Sequence, residues 1–303
     1  MIDFVGKKQW FFLISAILII SGIISLAVFG LKWGVDFSSG TAITLQFEKE
    51  VDLAQLRQQL TDLGYDRATI QPTAEAEFFI RLQEISSEEY TQLKEGLEAG
   101  LATNITDSNL YTVSATIAMA TVRNTVIAVV IASIGILLYI SWAFRKMPKP
   151  IRWGTCAILA LLHDLVIVIA IFSILGWVAG MEVDSLFVTG VLGVVGISVN
   201  NIVVVFDRIR ENLKRGVSSD FGVVANCGIM ESVGRSLNTG LATLFVIVAL
   251  YLLGGATIHT LILALLVGIT TGIYSSLCIA GQLLVVWEKG EWSALLPWAK
   301  RPA

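Results

Sequence analysis

The sequence predicts an α-helical membrane protein with six transmembrane helices and a small α+β domain inserted after the first. Three observations carry this prediction. Hydrophobic residues make up 55% of the chain and charged residues only 15%, with a mean hydropathy of +0.76, far from a water-soluble balance. Six apolar segments have about the length, ~20 residues, that spans a bilayer. One stretch, 32–122, departs from this pattern and reads as a folded domain with much of the acidic charge.

The elements follow in order. Lys7 and Lys8 precede the apolar run Trp10–Leu31. This run is longer than the ~7–15-residue apolar stretch of a cleaved leader and has no clear small-x-small site, so it is expected to be a retained span. In the loop domain, Thr41–Glu48 alternates like a strand. Asp52 with Gln55 opens a helix in the manner of a capping box, and Gly64 closes it. Ala68–Thr73 and Glu77–Leu82 read as strands around a turn at Pro72–Glu75. Ser86 with Glu89 opens a second helix, with Tyr90, Leu93, Leu97 and Leu101 as its apolar positions. Leu110–Thr116 reads as the last strand. The order is βαββαβ, the ferredoxin-like pattern.

The remaining spans are Asn124–Phe144, Trp153–Trp177, Leu186–Phe206, Leu237–Leu253 and Ile258–Trp287, with Pro148 and Pro150 turning the chain between the second and third. The expected divisions are 1–31, 32–122, 123–287 and a tail, 288–303. Arg145, Lys146, Lys149 and Arg152 lie in one short loop, Arg208, Arg210, Lys214, Arg215 and Arg235 in another, and Lys300 and Arg301 in the tail. The alternate loops carry Glu182 and Asp184, or only Gly254 and Gly255. This bias places both termini in the cytoplasm and 32–122 outside.

Several polar groups sit inside apolar runs. Asp164, beside His163, lies near the middle of the third span. An intramembrane carboxyl is costly and reads as functional by default; the plainer reading is a hydrogen-bonded carboxyl that holds helices together. Asn200 and Asn201 lie about 100° apart around the fourth helix, so at least one is expected to face the bundle, as interhelical hydrogen-bond glue or as part of a site. Further on, Asp207, Arg208, Arg210 and Glu211 allow local ion pairs, either as a solvated helix end or as a hinge or partner contact. Gly190, Gly193 and Gly196, with Gly268 and Gly272, point to close helix packing. His259 is given no role.

No nucleophile elbow, phosphate loop or metal-ligand spacing occurs, and Cys156, Cys227 and Cys278 have no paired spacing. No catalysis, cofactor, metal or disulfide is therefore expected. The net charge of -3 does not suggest nucleic acid. Energy would have to come from a gradient or a partner.

Two motifs, GVDFSSG (Gly34, Asp36, Phe37, Gly40) and VFDRIREN (Phe206, Asp207, Arg208, Arg210, Glu211, Asn212), stand out together with His163–Asp164 and GRSLNTG at Gly234–Gly240. On these the chain resembles the SecF branch of the SecD/SecF family, over nearly its whole length. The resemblance implies half of a resistance-nodulation-division type membrane fold. It also implies a bacterial-type cell-membrane subunit of the protein-export machinery, working with SecD beside the SecYEG channel, with an accessory insertase as a further partner. Such a pair is expected to use the proton-motive force to help preproteins leave on the far side. Arg235 matches the family's proton-pathway arginine; the plainer reading is a positive-inside anchor. Its expected partner is Asp164 or an acid on SecD. Asp36 is expected to cap or turn the junction after the first span.

The chain departs from the family pattern in one place that matters. The family has Asn-Asp where this chain has Asn200–Asn201, and an amide cannot titrate. The GVDFSSG stretch also differs from the commoner GIDFTGG, with Asp36 retained. Two other functions remain open: a small-molecule efflux transporter of the same superfamily, and a non-conducting scaffold for SecD. Efflux relatives have two large outer loops per half, whereas the loop between the fifth and sixth spans is a few residues here. The topology predicts that a single cysteine introduced near Gln92 is labelled only from outside the cell; labelling only from the cytoplasmic side would sink the topology and the export reading with it.

Overall fold

The computed structural model describes residues 3–66, 68–74, 76–255 and 258–292. The chain divides into two compact units, Lys32–Val126 and a bundle of Met1–Leu31 with Ile127–Ala303.

In Lys32–Val126, a single turn α2 (Val35–Ser38) precedes β1 (Gly40–Phe47), α3 (Leu53–Asp62), β2 (Thr69–Ala74), β3 (Glu77–Leu82), α4 (Ser87–Leu101) and β4 (Ile105–Val113). The sheet is antiparallel with order β2-β3-β1-β4, as the βαββαβ pattern requires. Period-two alternation puts Ile43, Leu45, Phe47 and Ile80 on one face, where they pack on Leu56, Leu60, Leu93 and Leu97 of the two helices. Ser86 and Glu89 form the full capping box. Asp52 caps α3 by accepting from Ala54 N, without a return bond from Gln55.

Two boundaries here differ from the sequence reading. The last strand is Ile105–Val113 rather than Leu110–Thr116. Asp107, Ser108 and Asn109 are polar residues that strands disfavour, but an edge strand is held by its ladder to β1 and tolerates polar side chains on its exposed positions. The β2–β3 turn lies beyond Pro72, which pairs with Phe78; the expected turn residue Glu75 lies outside the described residues.

Among the described residues, six helices are long and apolar enough to cross a membrane: α1 (Lys8–Phe29), α5 (Ala115–Ala143), α6 (Pro150–Ala179), α7 (Ser185–Arg215), α8 (Phe221–Leu253) and a composite, His259–Lys289. The composite consists of α9 (His259–Ser275), a π-helical turn (Ser276–Ala280) and α10 (Gly281–Lys289). The fifth membrane helix starts at Phe221, 16 residues before the apolar run at Leu237. Asn226, Glu231 and Arg235 interrupt the hydropathy but not the helix, which Asp220 caps by accepting from Gly222 N at 2.7 Å. A hydrogen bond from Lys289, then those from the α8 backbone, hold the Asp220 carboxyl below its ordinary value. The tail beyond residue 292 lies outside the described residues.

The packing stripes are made of small residues. A Cβ at Gly268 would lie 2.1 Å from Val194, one at Gly272 3.1 Å from Ser198, and one at Gly190 2.8 Å from Ala264. Glycines thus bring α7 and α9 together, as the GxxxG spacing implied. Gly196 faces open space and takes no part. On α8, a Cβ at Gly228 would meet the Ile209 backbone nitrogen at 2.7 Å, a contact no side-chain rotation relieves. Gly228→Ala should therefore destabilise the bundle by about 1–3 kcal/mol, the range of overpacking. Gly135→Ala, with nothing within 4 Å of its added carbon, should be neutral or slightly stabilising. Thermal unfolding in detergent compares them; equal midpoints would refute the close α7–α8 contact.

Candidate functional site

The bundle's buried polar centre is built around Asp164. This residue lies midway along α6 and is 1% exposed. Its Oδ2 accepts from Ser198 Oγ of α7 at 2.5 Å and from Ser275 Oγ of α9 at 2.8 Å. Its Oδ1 lies 3.1 Å from Nδ1 of His163, which is 6% exposed. On the far side of the imidazole, Nε2 lies 3.0 Å from Ser15 Oγ of α1. Ser15 Oγ is 3.2 Å from Tyr274 Oη, which donates to the Phe11 carbonyl at 2.9 Å. Three helices therefore meet at the carboxyl, and a fourth, α1, reaches it through His163. Each polar atom named has a partner, as a group withdrawn from water requires.

Local sequence explains the convergence. Gly272, two to four residues before Tyr274–Ser276, lets α9 approach α7 at Ser198. The π-helical turn begins directly after Ser275 and ends before Gly281. Such turns shift the register of a helix and concentrate at functional sites. At the other end of α1, Ser25 Oγ meets Ser173 Oγ of α6 at 3.0 Å, and a Cβ at Gly22 would lie 2.4 Å from that of Ala170. The close α1–α6 pair holds Ser15 against His163.

The predicted site residues divide into groups. His163 and Asp164 come together. Asn201 is 6% exposed and, with the exposed Asn200, lines a cleft of about 390 Å³ between α7, α8 and α9, beside Thr239, Gly240 and Thr243. Among the described residues neither amide makes a hydrogen bond, so the expected glue role is not filled within this chain. Arg235 is exposed on α8 and makes no ion pair among the described residues; the groups on Asp164 are hydroxyls and an imidazole. The expected pairing of Arg235 with Asp164 is therefore absent, because Arg235 points out of the bundle. Ser15, Ser198, Tyr274 and Ser275 were not singled out from the sequence.

The VFDRIREN segment is a structural knot at the end of α7. Phe206 is fully buried and packs edge-on to Trp153 at 5.3 Å and Phe144 at 6.0 Å. Asp207 pairs with Arg210, whose guanidinium lies 5.5 Å over Phe144. Glu211 takes Arg208 at 2.7 Å and Arg215 at 2.6 Å. Asn212, 1% exposed, donates to Glu231 of α8 at 3.2 Å. These local pairs support the helix-end reading, with Asn212 joining two helices.

In GVDFSSG, Gly34 caps α2, Val35 and Asp36 are buried, and Phe37 meets Trp33 at 5.8 Å. Gly40 has φ +130, and a Cβ there would lie 2.6 Å from the Leu82 carbonyl, so only glycine fits. Asp36 bonds Tyr111 of β4; partial burial, that bond and the Asp36 charge push the Tyr111 phenol above its ordinary value.

A six-helix membrane bundle with an inserted antiparallel ferredoxin-like domain and a buried intramembrane acid defines one half of a resistance-nodulation-division type membrane protein. The comparisons with known proteins make this specific. Residues 93–290 match the family model "Protein export membrane protein SecD/SecF, C-terminal", and residues 24–51 match the "SecD/SecF GG Motif". The protein translocase subunit SecF of Thermobaculum terrenum is 41% identical over 96% of this chain and 95% of its own length. The protein translocase subunit SecDF of Bacillus subtilis is 34% identical over 95% of this chain and 38% of its own length. The crystal structure of SecDF, a translocon-associated membrane protein, from Thermus thermophilus superposes with a TM-score of 0.83 at 32% identity, over 95% of this chain. This chain spans 39% of that one. The chain belongs to the SecD/SecF family of protein-export membrane proteins, and is a multi-pass membrane protein.

The geometry orders the polar residues by cost. Ser275→Ala leaves Asp164 Oδ2 with one donor and should cost about 0.6–1.7 kcal/mol, the range for intramembrane hydrogen bonds. Asn201→Ala breaks no such bond and should cost less than about 0.6 kcal/mol. Unfolding in lipid or detergent measures both; a larger loss for Asn201→Ala would contradict the hydrogen-bond assignment.

Proposed function

We propose that this chain is a SecF-type auxiliary subunit of the Sec export machinery, acting with a SecD-type partner beside the SecYEG channel and using the proton-motive force to promote preprotein translocation. The observation that carries the reading is the match along nearly the whole chain to SecF subunits and to one part of single-chain SecDF proteins. In those SecDF proteins the remaining length is the natural counterpart of a separate partner. The termini and the charged helix ends would lie in the cytoplasm, and 32–122 on the opposite side.

A physical argument supports the partnership. Asn200, Arg235, Asn238 and Thr239 are exposed on α7 and α8, and Asn200 and Thr239 line the cleft with Asn201. In a bilayer, polar groups on a bare helix face would meet hydrocarbon, so they belong under protein or around water. A SecD-type subunit seated on α7 and α8 supplies that cover. Proton use rests on Asp164, a titratable group at the centre of the bundle, because Asn201 cannot carry a proton. A scaffold reading without conduction draws on that same amide at 201.

Both readings meet one experiment. In vesicles holding the chain with its SecD-type partner, Asp164→Asn should abolish most gradient-dependent preprotein release, while Asn201→Ala should retain it. Wild-type release by Asp164→Asn would remove the proton role from this chain and leave the scaffold. Affinity purification from native membrane should recover the partner in roughly equal amount, and a monodisperse chain without it would count against the partnership.

A further inference from the structure

The hydroxyl chain that starts at His163 has a direction, and that direction counts protons. Tyr274 Oη donates its only proton to the Phe11 carbonyl at 2.9 Å. It has none left for Ser15, 3.2 Å away, so Ser15 donates to Tyr274. Ser15 then has none for His163, so the imidazole Nε2–H donates to Ser15 across 3.0 Å. The opposite nitrogen, Nδ1, lies 3.1 Å from Asp164 Oδ1, and that contact needs a proton of its own. Without one, a lone pair would face an anionic oxygen. The proton sits on Oδ1 beside a neutral imidazole, or on Nδ1 of an imidazolium beside a carboxylate. In both forms the pair is neutral overall.

We propose that His163 and Asp164 form a one-proton site whose loaded form this hydrogen-bond chain fits, and that it discharges through Ser15 and Tyr274. In discharge the Nε2 proton passes to Ser15 Oγ, the Ser15 proton to Tyr274 Oη, and the Tyr274 proton to water. One N–H and two O–H bonds break, two O–H bonds form on the same hydroxyls, and hydronium leaves; no electrons change hands. The remaining proton ends on Nδ1, either already there or transferred from Oδ1 as that O–H bond breaks and the N–H bond forms, and donates to ionised Asp164, whose Oδ2 already accepts from Ser198 and Ser275. Every bond along the chain then points the other way, and the Phe11 carbonyl loses its donor. Occupancy of the site is thus tied to a contact between α9 and α1.

The other groups around the pair are few. From α9, Tyr274 lies against the imidazole and Ser275 against the carboxyl, with Cys278 of the π-helical turn beside Tyr274. From α1 and α7 the groups are hydroxyls, Ser15 and Ser198. From α10, Glu288 is engaged with Arg152 at the bundle end, 3.1 Å apart. Among the described residues no Lys, Arg or second carboxylate touches the pair. The inference deepens the proton reading above and rests on it only for use in export; its test reads the imidazole alone.

The chain has two histidines, His163 and His259, so His259→Gln leaves one imidazole to observe. In the full chain, with isotope-labelled histidine in lipid bilayers, nitrogen NMR reads which imidazole nitrogen carries a proton. In the wild type Nε2 should carry one. In Tyr274→Phe, Ser15 has no acceptor and turns to Nε2, so under the same conditions the Nε2 proton should be lost while Nδ1 keeps its own. Ser15→Thr keeps the hydroxyl and should give the wild-type spectrum. A tyrosine that only packs would change stability and leave the spectrum in place. The proposal falls if wild-type Nε2 is unprotonated, or if Tyr274→Phe gives the wild-type spectrum.

Discussion

The bundle depends on the neutralisation of one buried carboxyl. Asp164 is withdrawn from solvent at the middle of α6, where an unsatisfied polar group would cost several kcal/mol. Its partners come from α7, α9 and its own neighbour His163, which leans on α1. These helices cannot slide past one another without breaking a bond to the carboxyl. The same arrangement makes the site responsive, because any change in its proton count alters which donors it needs.

Close packing makes this geometry possible. Serine side chains are short, so they reach a central acid only if the backbones come near. Gly272 faces Ser198, and Gly22 faces Ala170. Helix association in lipid rests on such contacts, since apolar side chains gain little from leaving one hydrocarbon for another. The aromatic cluster of Phe144, Trp153 and Phe206 and the ion pairs of the VFDRIREN segment anchor the charged end. The π-helical turn after Ser275 gives the composite helix a local register of its own beside the acid.

The polar residues divide by what satisfies them. Those near Asp164 are satisfied inside this chain. Asn200, Arg235, Asn238 and Thr239 are exposed on α7 and α8, and Asn200 and Thr239 line the cleft at Asn201. A membrane subunit with one self-contained polar centre and one exposed polar strip is suited to pairing through the strip while keeping its own acid enclosed.

Much was legible in the sequence alone. Long apolar runs determine spanning helices because a bilayer leaves few other ways to satisfy the backbone. Period-two and period-3.6 patterns with turn residues determine the order of the βαββαβ domain, since its core is one-sided. Asp164, the glycine stripes and the GVDFSSG and VFDRIREN motifs stood out because their residue types are unusual where they occur. Other features were decided only by tertiary structure. The strand Ile105–Val113 is set by pairing with β1, and the start of α8 by a cap sixteen residues before the apolar run. The partners of the acid are serines and a tyrosine, ordinary residues for a membrane helix, separated from Asp164 or His163 by 34, 111 and 148 positions where they bond directly. No local pattern marks them, because a hydroxyl acquires its role only when packing brings it within 3 Å or so of a group that has left water.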